Sequence, residues 1–467
     1  MKNIKFLVIC ATFATGVVSC GDSYFDVEMD QNKESETAFT TALDVKNGMI
    51  GAYYALGSYY FYGNNVVALG DMASDIATAS SSTGHFYNIN SYLISDTNSE
   101  LEEIWNYGYK IIDRTVRTIN GAEKVLEGNV NEEDEYAIYS YLSQCYALRA
   151  LATFTLTNIF GLPYQQGQAN SQLGVVLVTD RPLTIEEKVH RSSVADCYAQ
   201  ILNDIESAKE YYAGDDEING APQFYFNLAA IYALEARVNL FMGNYEAAKE
   251  AAQNAIDKRD SNGVTASSYA YMWTSNAISE EDIFTISKSN DDNLSANALN
   301  TLYGSYEGRV TNFTKTKFGI NDYRITVLNY YAYKYCGLPT AQAVSNIPVF
   351  RVSEMYLIIA ECEAKLNNLD EAKNALFYTA QRDADIEDTD DLPSTKENII
   401  SFINDERVRE LYLEGHRWYD ARRQGLKINV AGVSDFDVAK FVYPIPAAEI
   451  NAGYGTEQND GWSDYLP

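Results

Sequence analysis

The densest group of residues capable of chemistry lies near the C-terminus, where Glu406, Glu410 and Glu414 recur every four residues. This spacing predicts three carboxylates on one face of a helix. A pair of carboxylates can act as a general acid and a general base. However, Arg407 is three residues from Glu410, and Arg417 is three residues from Glu414, so cations lie within reach on the same helix. We therefore interpret the group as ion pairs that fix the fold, not as a catalytic site.

Other patterns typical of catalytic or metal sites are missing from the sequence. The three histidines, His85, His190 and His416, are far apart, and none lies in an H-E-x-x-H motif. Neither a G-x-S-x-G elbow nor a phosphate-binding loop occurs. The six cysteines include no C-x-x-C pair, and the acidic stretches 383–391 and 290–293 lack the spaced oxygens of a calcium loop. We expect no enzyme activity, no cofactor and no metal.

Aromatic and amide residues alternate in two segments, H-F-Y-N-I-N-S-Y at 85–92 and N-T-L-Y-G-S-Y at 300–306. Aromatic rings stack on the C–H faces of sugars, and amides or hydroxyls satisfy the sugar hydroxyls. The 37 tyrosines, against 19 phenylalanines, make such a surface plausible on composition. A further tryptophan, at 273, lies between a helical pattern and a strand-like one, whereas Trp105, Trp418 and Trp462 are expected in the core. The predicted ligand contacts are Phe86, Tyr87, Asn88, Asn90, Tyr92, Trp273, Tyr303 and Tyr306.

The chain is strongly acidic. It contains 65 Asp and Glu residues against 35 Lys and Arg, which gives a net charge of −30 at pH 7. Such a surface repels the phosphates of nucleic acids and anionic lipid headgroups, so we exclude both as ligands. Acidity of this kind also keeps a protein soluble, which is its simplest interpretation.

The N-terminus has the pattern of an export signal. Two lysines and an apolar run too short to span a bilayer precede Val17-Val18-Ser19-Cys20. This tetrapeptide resembles a bacterial lipobox, so we predict a lipoprotein signal peptide over 1–19, lipid on Cys20 and a polar tether over 20–37. More than one acyl chain on Cys20 would anchor the protein stably to a membrane. Ordinary secretion with cleavage elsewhere is the alternative.

Helical periodicity dominates the body of the chain. The run 135–160 is apolar nearly all round, which indicates a helix packed on several sides, and it ends at Gly161. Strand signals are sparse, and the best are 175–179 and 282–287. The segments 80–99 and 287–321 are rich in Ser, Asn, Gly and aromatics, which predicts long loops.

Two helix hairpins share one spacing of small residues. The positions are Ala236, Gly243 and Ala248 in the first, and Ala360, Asn367 and Ala372 in the second. Alanine permits close helix approach, and Gly or Asn adopts the left-handed conformation that closes the turn. This pattern is typical of tetratricopeptide-like helix pairs. The predicted fold is mainly α, with such pairs forming a superhelical scaffold that carries long irregular loops and few short strands.

Several motifs resemble those of the SusD/RagB family of outer-membrane nutrient-binding lipoproteins of Bacteroidetes. They are R-V-S-E-M-Y-L-I at 351–358, D-E-R-V-R-E-L-Y-L-E-G-H-R-W-Y-D-A-R-R at 405–423, Y-P-I-P at 443–446 and N-D-G-W at 459–462. The earlier pieces L-R-A at 148–150 and F-G-L-P at 160–163 agree, as does Asp75. The resemblance covers essentially the whole mature chain. It implies a single body over 38–467, with an N-terminal part over about 38–260 and a C-terminal part over about 261–467.

The resemblance also implies a function. Family members are lipid-anchored at the cell surface, sit on a TonB-dependent SusC-like outer-membrane transporter, and deliver ligand to it. The ligand is usually an oligosaccharide, and some members bind peptides. We therefore expect a glycan-binding lipoprotein, with a peptide-binding lid of the same kind of transporter as one alternative and a helical scaffold without a ligand as another. The family's binding loops vary in sequence, so none of its site residues transfers directly.

Overall fold

The computed structural model describes residues 38–184, 186–214, 220–328, 334–335 and 344–467. The predicted signal peptide, Cys20 and the tether lie outside the described residues. In the described part of the chain, no helix combines the length and apolar character needed to cross a bilayer.

The structure is mainly α-helical, as predicted. The first helices are α1 (Ala42–Leu56), α2 (Asn65–Met72), α3 (Tyr87–Asn90), α4 (Ser99–Leu126), α5 (Glu132–Phe160), α6 (Val194–Tyr211), α7 (Leu228–Met242) and α8 (Tyr245–Arg259). The later ones are α9 (Ala266–Thr274), α10 (Leu299–Tyr303), α11 (Asn312–Lys315), α12 (Val352–Leu366), α13 (Leu369–Ala380), α14 (Lys396–Leu411), α15 (Arg417–Gln424) and α16 (Ala447–Ala452). Short 3-10 helices occupy Pro222–Phe224, Ser295–Asn297, Tyr323–Val327, Thr389–Asp391 and Trp462–Tyr465.

The described strands are short. They are β1 (Ala77–Thr78), β2 (Asp282–Ile286), β3 (Arg309–Val310), β4 (Ile347–Arg351), β5 (Lys427–Val430) and β6 (Val433–Asp437). They form antiparallel pairs, β1 with β3, β2 with β4, and β5 with β6. The predicted strand at 282–287 is therefore confirmed as β2, which pairs from Asp282 opposite Arg351 to Ile286 opposite Ile347, with the register shifting on either side of Phe284.

The strand predicted at 175–179 is wrong. The segment is extended and its valines are buried, but side chains take up much of its backbone hydrogen bonding. The amide of Val176 donates to the hydroxyl of Tyr109 (2.9 Å), which donates back to the Val176 carbonyl (3.1 Å). The guanidinium of Arg149 donates to the carbonyl of Thr179 (2.7 Å). A β-branched apolar run is typical of buried segments as well as of strands, and this one is buried without being part of a described strand.

Antiparallel helix pairs form the scaffold. Helix α4 packs on α5 and α5 on α6, α7 packs on α8, and α12 packs on α13, while α8 and α12 join the last two pairs. The long apolar helix predicted from residue 135 begins three residues earlier, because the side chain of Asn131 caps it by accepting from the Asp134 amide (2.9 Å), and it ends before Gly161 as predicted.

The two predicted hairpins have the expected geometry. Gly243 ends α7 with φ of 76°, and Asn367 ends α12 with φ of 72°, so both residues adopt the left-handed conformation. The four spaced alanines are fully buried between the helices; they are Ala236, Ala248, Ala360 and Ala372. A Cβ on Gly243 would also lie 3.0 Å from Cδ of Gln166, so a side chain there is opposed by strain and by a neighbour.

Replacing Gly243 with valine is expected to destabilise the protein by about 1–3 kcal/mol, because a β-branched residue is strained at positive φ. Chemical denaturation of the purified mature protein measures this. The matched control is Asn367→Gly, at the equivalent turn, which should change the free energy of unfolding by less than about 0.5 kcal/mol. An unchanged transition midpoint for Gly243→Val would contradict the assigned turn.

Candidate ligand-binding cleft

The two loop segments predicted to bind ligand lie against each other. Pairing of β1 with β3 brings them together, and the hydroxyl of Thr83 donates to the carbonyl of Tyr306 (2.8 Å). Both Ser80 and Ser82 donate to a carboxylate oxygen of Glu307, at 2.8 and 3.0 Å. The rings of His85 and Tyr306 stack with centroids 3.8 Å apart. The segments therefore form one surface, although they are more than two hundred residues apart in sequence.

The structure places the side chains of four predicted contacts in the core. Phe86, Tyr92, Tyr303 and Trp273 are each at most 4% exposed. The hydroxyl of Tyr92 donates to the carbonyl of Ala73 (2.6 Å), and Lys334 Nζ lies 4.6 Å from the centroid of the Trp273 ring. The alternation of aromatic and polar residues therefore does not distinguish the rings that pack in the core from those that lie nearer the surface.

The other four predicted contacts differ from one another. Asn90 secures the loop, since its amide oxygen accepts from the Ala79 amide (3.1 Å) and its amide nitrogen donates to the carbonyls of Met72 and Ala77. Asn88 is exposed, whereas Tyr87 and Tyr306 are half-buried, and these three remain free to face a ligand. The tryptophans expected in the core, Trp105 and Trp418, are buried, while Trp462 is only partly buried against it.

A separate cleft of about 590 Å³ opens beside the C-terminal end of α1. Its walls come from α1, the turn at 57–60, α4, the segment 224–225, β2 and the loop 287–297. Its aromatic lining consists of Tyr53, Tyr54, Tyr59, Tyr60, Tyr107, Phe224, Tyr225 and Phe284. Sequence reasoning missed this site, although the run from Tyr53 to Tyr62 contains five tyrosines and was a visible signal.

Several tyrosines of the cleft contact one another through their rings. The ring centroid of Tyr60 lies 4.4 Å from that of Tyr59 and 4.8 Å from that of Tyr107. Opposite, Tyr53 meets Tyr225 edge-on at 5.3 Å, and Tyr54 is 76% exposed. A wall of tilted rings with partly exposed faces suits stacking against the flat faces of a ligand.

Backbone contacts hold the tyrosine wall in place. The amide of Gly63 donates to the carbonyl of Ser58 (2.9 Å), and the amide of Asn65 donates to that of Tyr59 (3.0 Å). A Cβ at Gly63 would lie 2.6 Å from two carbonyl oxygens, so glycine is required there. The hydroxyl of Tyr53 donates to Gln144 Oε1 (2.8 Å) and accepts from the amide of Phe226 (2.8 Å). The site is therefore preformed.

Two phenols of the cleft, those of Tyr59 and Tyr225, stay protonated at physiological pH. Burial, and secondarily the nearby carboxylate of Glu103, raises the pKa of Tyr59 to about 12. Burial also raises the pKa of Tyr225. Each phenol can then both donate and accept, which is what a polyhydroxylated ligand requires.

The glutamates considered as acid–base groups belong to a buried charge cluster. Its five acidic members are Glu281, Asp322, Glu406, Glu410 and Glu414, and its five basic members are Arg324, Lys334, Arg351, Arg382 and Arg409. Arg324 binds Glu406 at 2.6 Å and Asp322 at 2.7 Å. Arg351 binds Glu414 at 2.7 Å. The structural interpretation is supported, because these carboxylates are buried and paired.

The individual pairs predicted along the helix are wrong. Arg407 binds Asp420 (2.7 Å), and Arg417 binds Asp75 (2.8 Å). Glu410 is instead bound by arginines from other segments, Arg351 and Arg382. The other predicted pair fails because α14 ends at Leu411, so Glu414 and Arg417 do not share that helix. The following turn uses positive φ at Leu413 and Gly415 and redirects the chain.

Family comparisons cover nearly all of the described chain. Residues 234–462 match the model described as SusD family, and residues 23–240 match the model described as starch-binding associating with outer membrane. The chain belongs to the SusD family. The motifs at 351–358 and 405–423 lie in the first of these matches, and they supply five of the ten members of the buried charge cluster. The cleft of this SusD-family chain draws its walls from both matched parts.

Three SusD-family relatives are distant in sequence but match over nearly their full lengths. A SusD-like protein of Formosa agariphila is 22% identical over 95% of both chains. A structure from Bacteroides vulgatus, named a candidate sugar-binding protein, has a TM-score of 0.82 and 26% identity and covers 91% of this chain and 99% of its own. A SusD superfamily protein from the same species has a TM-score of 0.80 at 26% identity, with 91% and 100% coverage.

Glu406→Gln is expected to destabilise the protein at pH 7 by about 3–5 kcal/mol, because Arg324 and Arg409 lose the charge that compensates them. Although burial alone would raise it, these arginines hold the pKa of Glu406 down to about 2. The wild-type contribution is therefore complete above the ordinary value of 4.5 and is lost as the pH falls from there toward 2. Urea unfolding at pH 7 and pH 3.5 should show a smaller gap between variant and wild type at the lower pH.

The control for Glu406→Gln is Asp113→Asn. Asp113 pairs with Arg117, and their side chains are 45% and 42% exposed, respectively. This exposed pair should contribute less than about 1 kcal/mol. Equal effects of the two variants at pH 7 would contradict the role assigned to the buried cluster.

Proposed function

We propose that the protein binds oligosaccharides in the tyrosine-lined cleft and does not turn them over. The single observation that carries this proposal is the wall formed by Tyr59, Tyr60 and Tyr107, with Tyr54 projecting beside it. A pyranose ring has an apolar C–H face that stacks on such rings and a hydroxylated edge that needs donors and acceptors. The phenols and the amides of Asn293 and Asn297 supply these groups beside the stack.

The charge of the cleft favours a sugar over a peptide. Of the described residues that line it, Lys288 and Asp292 are the ones with an ordinarily charged side chain, and they pair with each other at 3.1 Å. A peptide-binding cleft needs charges or a row of free backbone groups to hold the termini and peptide bonds of its ligand. A cleft lined by tilted aromatic rings, whose described charges balance, matches a neutral polyhydroxylated ligand better, so we keep the peptide as the alternative.

The family comparisons support the same class of ligand. One matching model is described as starch-binding and associating with outer membrane, and one similar structure is named for sugar binding. From them we infer a glycan-binding role at the outer membrane. We further propose that the protein is anchored there by lipid on Cys20, faces the cell surface, and passes its ligand to a TonB-dependent SusC-like transporter.

The lipid anchor is tested in the native organism. Cells fed a radioactive fatty acid should incorporate label into the wild-type protein and not into Cys20→Ala, because the predicted acyl chains attach through this cysteine. Cys10→Ala, which removes the other cysteine of the leader, is the matched control and should keep the label. Label that persists in Cys20→Ala would overturn the assignment.

Binding is tested with the double variant Tyr54→Ala/Tyr60→Ala. Affinity electrophoresis of the purified mature protein through gels containing soluble starch, laminarin, mannan or arabinoxylan identifies a polysaccharide that the wild type binds. Each lost ring contact removes about 0.5–1.5 kcal/mol, so the double variant should bind roughly tenfold more weakly or worse.

The matched control is Tyr271→Ala, which removes a tyrosine that is 61% exposed and does not line the cleft. Melting curves of all variants should overlay. Unchanged retention of the double variant would place the binding site elsewhere, and the surface formed by Tyr87, Asn88 and Tyr306 would then be the next to substitute.

A further inference from the structure

A lysine and an aspartate at one end of the cleft form an isolated charge pair. Lys288 follows β2, and its amide donates to Asn346 Oδ1 (3.0 Å), which holds its backbone in place. Its Nζ donates to Oδ2 of Asp292 (3.1 Å). The lysine side chain is 4% exposed, whereas that of the aspartate is 60% exposed. An ammonium at the floor of the cleft is thus balanced by a carboxylate at its rim.

A tight turn fixes the distance between the two charges. The amide of Ser289 donates to the carbonyl of Asp292 (3.0 Å), and the amide of Asp292 donates back to the hydroxyl of Ser289 (3.1 Å). The turn belongs to the short loop that leaves β2, whose residues Phe284 and Ile286 line the same cleft. Charge pair and aromatic wall are therefore parts of one preformed surface.

The ammonium retains hydrogen-bonding capacity toward the cleft. It has three N–H donors, and among the described residues one side-chain acceptor, the carboxylate of Asp292, is bound to it. Gly57 lies at the end of α1 beside it: a Cβ there would be 3.6 Å from Nζ, and the glycine leaves that space open. A buried ammonium is stable only when its donors find acceptors, so oxygen atoms of a ligand would complete its coordination.

We infer that Lys288 and Asp292 form a polar subsite that binds two adjacent hydroxyls of a neutral sugar. One hydroxyl accepts from the ammonium, and its neighbour donates to the carboxylate, while the ring stacks on the tyrosine wall. Such charge-assisted hydrogen bonds are the strong ones available to a sugar hydroxyl. The inference rests on the proposed function and adds a ligand specificity to it. The ligand must present an unsubstituted vicinal diol at this end of the cleft.

The same pair excludes acidic sugars. A uronate or sulfate would have to displace Asp292 from Lys288 and remain beside its carboxylate, and the chain as a whole carries a net charge of −30. Like charges at contact distance disfavour such a ligand. The wild type should therefore bind a neutral polysaccharide and should not bind polygalacturonate.

The test compares Asp292→Asn and Lys288→Met with Asp291→Asn, a control that changes the adjacent exposed aspartate, which does not line the cleft. The probes are the neutral polysaccharide that the wild type binds and polygalacturonate, both measured by affinity electrophoresis and calorimetry. Asp292→Asn and Lys288→Met should each weaken neutral binding by about tenfold, and the control should not change it. The Asp292→Asn variant should also be retained by polygalacturonate, because the ammonium of Lys288 is no longer balanced by a carboxylate. A loss of structure would not produce this gain.

The outcomes separate this inference from the proposal beneath it. Neutral binding that falls in the tyrosine double variant but is unchanged in Asp292→Asn overturns the diol subsite and leaves the glycan cleft intact. The diol subsite is also overturned if the wild type binds polygalacturonate and Lys288→Met loses that binding. In that case the ammonium of Lys288 binds the carboxylates of acidic sugars. If the wild type binds no polysaccharide, the proposed function itself fails.

Discussion

Ten charged side chains are buried together where β2 and β4 pair, and each must find its partners if the chain is to fold. Removing one charge from water costs several kcal/mol, and only well-placed counter-charges and hydrogen bonds offset that cost. The cluster contains as many acids as bases, and Glu410 alone is bound by Arg324, Arg351 and Arg382. No member can move far without leaving a neighbour unpaired. The cluster therefore specifies one arrangement of the C-terminal elements.

This constraint extends to the cleft through the strands. Glu281 immediately precedes β2, and Arg351 ends β4 directly opposite the first residue of β2. Their ion pair (2.9 Å) sets where β2 begins. From that point the strand runs outward and presents Phe284 and Ile286 to the cleft, and the chain then reaches Lys288. The tyrosine wall on the other side is fixed independently, by the hydrogen-bonded turn after α1 and by the two bonds of Tyr53. Two rigid elements thus face each other across a preformed space, and binding a ligand there requires little ordering of the protein.

The helical scaffold could be predicted from the sequence because its determinants are local. Gly243 and Asn367 occupy turns that demand positive φ, and the spaced alanines follow from helix periodicity. The ion-pair partners could not be predicted, because Arg324, Arg351 and Arg382 lie on other segments of the chain and reach α14 only through the tertiary fold. The same limit applies to the site. The ligand contacts predicted in the loops around residues 85 and 306 remain a prediction, because a tyrosine has the same sequence signature whether its ring faces solvent, as that of Tyr54 does, or the core, as that of Tyr92 does.

The contrast between the whole surface and the cleft bears on what the protein can select. The net charge of −30 repels polyanionic ligands from the protein as a whole, whatever the shape of its binding site. Among the described residues that line the cleft, one acidic side chain is offset by one basic side chain, so a neutral ligand meets no uncompensated charge from them. Stacking on tyrosines supplies attraction that depends little on sequence or linkage, whereas a charge pair held at a set spacing recognises the configuration of neighbouring hydroxyls. A binding protein that must capture long chains and still discriminate among them needs both kinds of contact, and this cleft places them side by side on elements that the buried charges hold in position.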